Sequence, residues 1–180
     1  MKFIVTFIIT LLLCKPTHAQ KYPQSLIDSF SNETIEYYYT DFINRIDSTE
    51  PDYYKPGTMY MLKSELTKNL KTHFKSFTLC YVTHEQALDA FVKTEDRSGS
   101  LENLSVTQLK DTINIDIGGW VIQITKVKTV NGKLTPVNSN FLISCGGTLG
   151  YIPTCRFVFD KTSHSWKRYT WQQTAAMLIR

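Results

Sequence analysis

Three histidines in the body of the chain, His73, His84 and His164, are the side chains best suited to ligating a metal or moving a proton near neutral pH. They lie far apart, and none has a Cys or His neighbour at zinc spacing, so surface or helix-cap positions are expected. Cys80 and His84 are four residues apart and would suit a thiolate pair on one element. Cys80, however, falls in a strand-like run, and His84 follows a helix-capping threonine. There is no Gly-x-Ser-x-Gly elbow. Gly146-Gly147-Thr148-Leu149-Gly150 has the glycine content of a phosphate loop, yet it lacks the lysine and leads into a strand. Asp89, Glu95, Asp96 and Arg97 supply acids and bases of the kind an isomerase uses. Solvated charges at a helix end explain them equally well. No cofactor, no metal ligand set and no catalytic residue is assigned.

Two features point to binding. Tyr37, Tyr38, Tyr39, Tyr53, Tyr54 and Tyr60 crowd one stretch. A helix with a 3.6-residue period buries one side of the Tyr37-Tyr38-Tyr39 run, with Tyr39 the inward residue. Tyr37 and Tyr38, with Tyr53 and Tyr54 of the following linker, are the candidate binding residues, because a flat ring carrying a hydroxyl suits an interface. Simple packing of the helix on the linker is the competing explanation. Charge is also uneven. Asp28 to Asp52 holds seven acids and one base, Arg45, whereas Lys55 to Lys75 holds five lysines and one acid, Glu65. The two segments attract each other, the acidic helix steers a basic partner, or the charges simply form a solvated face, and the solvated face is the plainest reading.

Residues 1–19 read as a secretory signal peptide. Lys2 is the basic start and Phe3 to Cys14 the apolar run, followed by Lys15-Pro16-Thr17-His18-Ala19 with cleavage after Ala19. The apolar run spans about 18 Å as a helix, short of the roughly 30 Å bilayer core, so no membrane span is expected after cleavage. A secreted or periplasmic location follows. Cleavage removes two of the 20 basic residues and none of the 16 acidic ones, so the mature net charge is +2. That is no footprint for nucleic acid.

An oxidising compartment permits a disulfide, and Cys80, Cys145 and Cys155 survive cleavage. Cys145 and Cys155 bracket a glycine-rich loop between Phe141-Leu142-Ile143-Ser144 and Arg156-Phe157-Val158-Phe159. If those runs pair antiparallel, a Cys145–Cys155 bridge sits at the base of the loop, worth about 3 kcal/mol. Cys80 is left as a buried free thiol.

The elements that would carry these residues change character along the chain. A short helix is expected around Ser25 to Phe30, and a second from an Asn32 cap through Ile46. Thr58 to Phe74 shows a helical stripe of Met59, Leu62, Leu66, Leu70 and Phe74. Phe77 to Val82 reads as a strand, and Thr83-His84-Glu85-Gln86 as a capping box opening a helix to Phe91. Residues 94–110 read as a long loop. From Thr112 the period is two. Gly118-Gly119 and Asn131-Gly132 signal two-residue hairpin turns, the second pairing Val130 with Lys133 and Ile122 with Phe141. Thr162-Ser163-His164-Ser165 turns into a last strand, Trp166 to Trp171.

The expected fold class is α+β: N-terminal helices packed on a curved antiparallel meander, cone-like, with residues 20–180 as one globular domain. Ile35-Glu36-Tyr37-Tyr38-Tyr39-Thr40-Asp41-Phe42, Leu88 to Asp96 and Ser165-Trp166-Lys167 resemble elements of small exported bacterial domains of the nuclear-transport-factor-like and cystatin-like cone fold. The resemblance covers element order over roughly residues 30–171. It implies a domain that binds small molecules, acts as an immunity protein or, in a minority, is an enzyme. The leading expectation is an exported non-enzymatic binding domain, of immunity or inhibitor type, whose partner is another protein or a small apolar ligand. The alternative is a small isomerase- or hydrolase-like enzyme with a buried carboxylate such as Asp89 or Asp96.

Overall fold

The computed structural model describes residues 22–45, 58–94, 97–144 and 153–178. Over these the chain is an α+β fold, with three α-helices and a curled, mixed, seven-stranded sheet. The expected signal peptide, Tyr53, Tyr54, Glu95, Asp96, Cys145 and the Gly146–Gly150 loop lie outside the described residues.

The first helix, α1 (Gln24–Arg45), is one element. The sequence suggested a break at Asn32, but the buried positions Ile27, Phe30, Ser31, Thr34, Ile35 and Tyr39 keep helical spacing straight through it. Asn32 does not cap: its Oδ1 accepts from the Lys71 amide at 2.9 Å. Thr34 and Ser31 sit mid-helix and buried, and the Thr34 hydroxyl donates back to the Phe30 carbonyl at 2.8 Å.

The helix expected over Thr58 to Phe74 is not formed. Thr58–Leu62 is strand β1, and Glu65–Thr67 is one turn of 3-10 helix. Met59 and Met61 pack under α1, while Tyr60 and Leu62 face the other layer. Burial on both faces makes a strand apolar at every position, and such a run also satisfies a helical template. Strand β2 (Thr78–Val82) pairs parallel with β1 along its whole length, from Thr58 opposite Thr78 to Leu62 opposite Val82. Helix α2 (His84–Phe91) opens on the expected capping box: Gln86 N–H donates to Thr83 Oγ1 at 3.3 Å, and Thr83 N–H to Gln86 Oε1 at 2.9 Å.

The expected long loop is strand β3 (Ser98–Leu109), and Gly118-Gly119 is no turn. Strand β4 (Thr112–Val130) runs straight through both glycines, and β3 pairs with it antiparallel from Leu109 opposite Thr112 to Ser98 opposite Gln123. Side chains alternate across a strand. Ile113, Ile115 and Ile117 therefore belong to the core under α1, and Ile122 and Ile124 to a second core with Ala87, Phe91 and Val92 of α2. The two helices cover opposite faces of the sheet, and β4 passes from one core to the other at the glycine pair.

Asn131-Gly132 does turn the chain, with φ of 51° and 75° as a two-residue primed turn demands. Strand β5 (Lys133–Ser144) returns along β4 with Val130 opposite Lys133 and Ile122 opposite Phe141, as expected, across an irregularity around Lys126. Strand β6 (Cys155–Asp160) does not pair with β5. It pairs with the start of β4, Thr112 opposite Val158 to Ile115 opposite Cys155, and with β7 (Ser165–Thr170). Thus β5 and β6 share one edge of β4 end to end. Thr154 spans the gap between them: Ile117 N–H donates to its hydroxyl, which donates to Asp116 Oδ1, both at 3.0 Å. Helix α3 (Trp171–Leu178) follows, its first amide bonded to the Thr154 carbonyl at 3.1 Å. Phe30 of α1 stacks on Phe157 of β6 at 4.0 Å and meets Trp166 of β7 edge-on at 5.3 Å. The meander is antiparallel from β3 onward, and β1, parallel to both β2 and β3, makes the sheet mixed.

Candidate functional site

Helix α1 sorts its tyrosines by angle. Tyr39 is buried, Tyr38 is half-buried with its ring edge-on to Tyr39 at 5.1 Å, and Tyr37 faces β7. Tyr37 lines a groove of about 370 Å³ with Glu33, Glu36, Thr40 and Asp41 of its own helix and Arg168 of β7. These positions recur at helical spacing on one face, so the helix itself gathers the acids around the ring. Arg168 closes one side: its Nη1 pairs with Glu33 Oε1 at 2.8 Å, and its guanidinium lies 5.7 Å from the Tyr37 ring centre. The Tyr37 hydroxyl donates to Gln172 Oε1 of α3 at 2.6 Å. The ring is thereby held in one orientation, which lowers the entropy lost on contact with a partner.

Tyr38 belongs elsewhere. Burial pushes its phenol well above the usual range, and the charges of Glu102 and Asp116 push it further. The two tyrosines expected to act together are divided between a surface groove and the interior.

Glu102 is the group the sequence did not single out. It sits mid-strand on β3, between Met61 of β1 and Gly119 of β4, and only 7% of it is exposed. Ser100 Oγ donates to its Oε1 at 2.7 Å, while Oε2 meets no hydrogen-bond partner among the described residues. Burial raises its pKa, partly offset by the Ser100 hydrogen bond. The hydroxyl of Tyr39, 98% buried, likewise has no partner among the described residues, and Glu102 is the nearest cause of its raised pKa after burial itself. The signal in the sequence was one carboxylate in phase with Leu104 and Val106. It is legible only once residues 98–109 are read as a strand.

Asp89 forms a surface ion pair with Lys133 at 2.9 Å, tying α2 to the β4–β5 hairpin. Arg97 is exposed, in a left-handed backbone conformation with φ of 53°. Cys155 has no disulfide partner among the described residues, and Cys145, its expected partner, lies outside them. The Cys155 thiol is buried, and burial pushes its pKa up to about 11, so it is protonated at neutral pH. Cys80 is free and half-buried on β2. His73 lies beside Thr72, His84 begins α2, and His164 stands in the β6–β7 turn, so the three are on separate elements. No group of three or more His, Cys, Asp or Glu with metal-binding geometry occurs among the described residues. No helix among them is long and apolar enough to cross a membrane. No protein-family model, curated protein or solved structure matches the chain.

Proposed function

We propose that this is an exported binding protein that docks another protein through the Tyr37 groove of α1. What carries this reading is the groove itself: an oriented aromatic ring amid Glu33, Glu36 and Asp41, on a helix whose opposite face is anchored in the core. Aromatic anchors supply much of the energy at interfaces, and exposed Glu36 favours a partner that presents Lys or Arg. An inhibitor or immunity role fits such a surface. Export rests on the leader-like residues 1–19.

The test is a photo-crosslinking amino acid at position 37, expressed in the native host. One discrete protein adduct is expected, absent when the same group replaces exposed Ser163 of the β6–β7 turn. No adduct, or equal adducts from both positions, overturns the reading.

A second reading is favoured by Glu102. A desolvated carboxyl with a raised pKa is the form a general acid takes. Under that reading Glu102→Gln abolishes turnover of a small substrate while the fold is kept. A thermal-shift screen of small carbonyl and ester compounds against both forms would expose it. A stabilising compound whose effect vanishes in Glu102→Gln supports this reading, and an equal shift in both forms removes it.

A further inference from the structure

The lysine-rich stretch between β1 and β2 is not neutralised by α1. Lys63, Lys68, Lys71 and Lys75 are all exposed, and none joins an ion pair among the described residues. Its ties to α1 are hydrogen bonds instead: Asn69 Nδ2 to Asp28 Oδ2 at 3.3 Å, and the Lys71 amide to Asn32 Oδ1.

This connection bonds to the backbone edge of β2 around His73, and Tyr81 Oη reaches back to donate to the Lys71 carbonyl at 2.9 Å. His73 bridges Thr78 in antiparallel fashion, with the Phe74 amide donating to the Phe77 carbonyl at 3.0 Å and the Leu79 amide to the Thr72 carbonyl at 2.7 Å. The chain then coils away from the strand, through Leu70 N–H to the Thr67 carbonyl and Thr67 N–H to the Ser64 carbonyl. Outward-facing amides alternate along a strand. Leu79 points outward, so the next outward residue is Tyr81, and neither its amide nor its carbonyl meets a backbone partner outside the sheet among the described residues.

Between the open edge and the coiled connection runs a groove of about 1020 Å³. Its floor is the whole of β2, and its wall carries Lys63, Thr67 and Lys68, with Glu65 as its one acid. Among the described residues only two lysines, Lys63 and Lys68, line the groove; both are exposed and they are five residues apart, which does not suit a compact anion. The threonines and lysines do not suit an apolar ligand. An extended chain does fit, because it uses the unpaired backbone groups of an edge strand and sets its side chains along the walls.

The geometry points to a second docking site: the end of the β2 edge left open at Tyr81 takes an extended, acidic segment of a partner protein as an added strand. Tyr81 N–H and C=O supply the backbone bonds, and Lys63 and Lys68 meet the segment's carboxylates. The site shares no residue with the Tyr37 groove and stands or falls separately from it.

The probe is a fluorescein-labelled peptide of alternating Glu and Val, with a Lys and Val peptide as control, titrated into the ¹⁵N-labelled full chain. The expected result is saturable binding of the acidic peptide, slowed hydrogen exchange at the Tyr81 amide and no binding of the control. Lys63→Glu with Lys68→Glu should weaken binding about tenfold or more, while Lys126→Glu with Lys128→Glu on the β4–β5 hairpin leaves it unchanged. Three results overturn the proposal. They are no binding at millimolar peptide, equal binding of both peptides, and binding that leaves the Tyr81 amide unprotected. Association with anionic vesicles that protects the β4–β5 hairpin and not Tyr81 would assign the lysines to a lipid surface and overturn it too.

Discussion

Glu102 lies across Gly119, its cross-strand partner, so closely that a Cβ on residue 119 would collide with Oε2 and stand 2.7 Å from the carboxyl carbon. The same Cβ would stand 2.8 Å from the Leu101 carbonyl oxygen. Gly119 is thus a packing requirement of a buried carboxylate. Gly119→Ala should destabilise the fold by about 1–3 kcal/mol, the usual cost of overpacking. Shortening the acid in Glu102→Ala/Gly119→Ala should return part of that cost, since the Leu101 carbonyl remains. Urea denaturation of the four forms reads the coupling. A neutral Gly119→Ala would contradict the placement of Glu102.

The raised pKa of Glu102 fixes a pH dependence. The folded state holds the proton more tightly than the unfolded chain does, whose carboxyl titrates near 4.5. The group's stabilising contribution is therefore full below that value and is lost as pH rises through the folded pKa above it. Glu102→Gln, which stays neutral, should flatten stability over that window. The check is the difference in urea midpoint between the two proteins, measured from pH 4 upward. A wild type that gains stability relative to Glu102→Gln as pH rises would contradict the burial.

Cys155 tests the cysteine arrangement. A buried thiol with its pKa near 11 should resist iodoacetamide in the folded protein and react on unfolding, whereas half-buried Cys80 reacts first. Intact mass after alkylation, with and without denaturant, gives the order. A non-reduced peptide linking Cys155 to another cysteine would contradict it.

Thr154 replaces a missing stretch of strand where β5 and β6 leave the edge of β4 open. Thr154→Val should cost about 1–3 kcal/mol, because it leaves the buried Ile117 amide without its acceptor. Hydrogen exchange at Ile117 should accelerate more than at Ile113. Unchanged exchange at Ile117 would contradict this role.

Much of the fold was legible where a local rule has few alternatives. Asn131-Gly132 set the register of β5 on β4, and Thr83 with Gln86 set the start of α2, because both signals act within a few residues. The α+β class and the curved sheet followed from helical spacing first and period two after. The failures share a cause. At Gly118-Gly119 the isoleucines change phase, from 113, 115 and 117 to 122 and 124. A two-residue turn explains that change, and so does one strand crossing between cores on opposite faces. Only the partner strand decides, and Ser98 to Leu109, largely polar, reads as a loop until it is paired. Met59 to Leu62, apolar at every position, hid β1 in the same way. Glu102 was lost with β3, since a buried carboxylate looks like any polar residue until its strand is paired. Of the candidate site, Tyr37 was found by helical angle, whereas Arg168 and Gln172 are brought to it by β7 and α3 and carry no local signal.

The central claim is that α1 presents a docking surface around Tyr37. It is tested most directly by immobilising three forms of the protein, wild type, Glu36→Lys/Tyr37→Ala and Glu102→Gln, and passing the envelope fraction of the native host over each. Quantitative mass spectrometry then compares the eluates. The account predicts one stoichiometric partner on the wild type and on Glu102→Gln, reduced at least tenfold on Glu36→Lys/Tyr37→Ala, whose urea midpoint is unchanged. A partner that binds all three forms equally, or none on any of them, would contradict it.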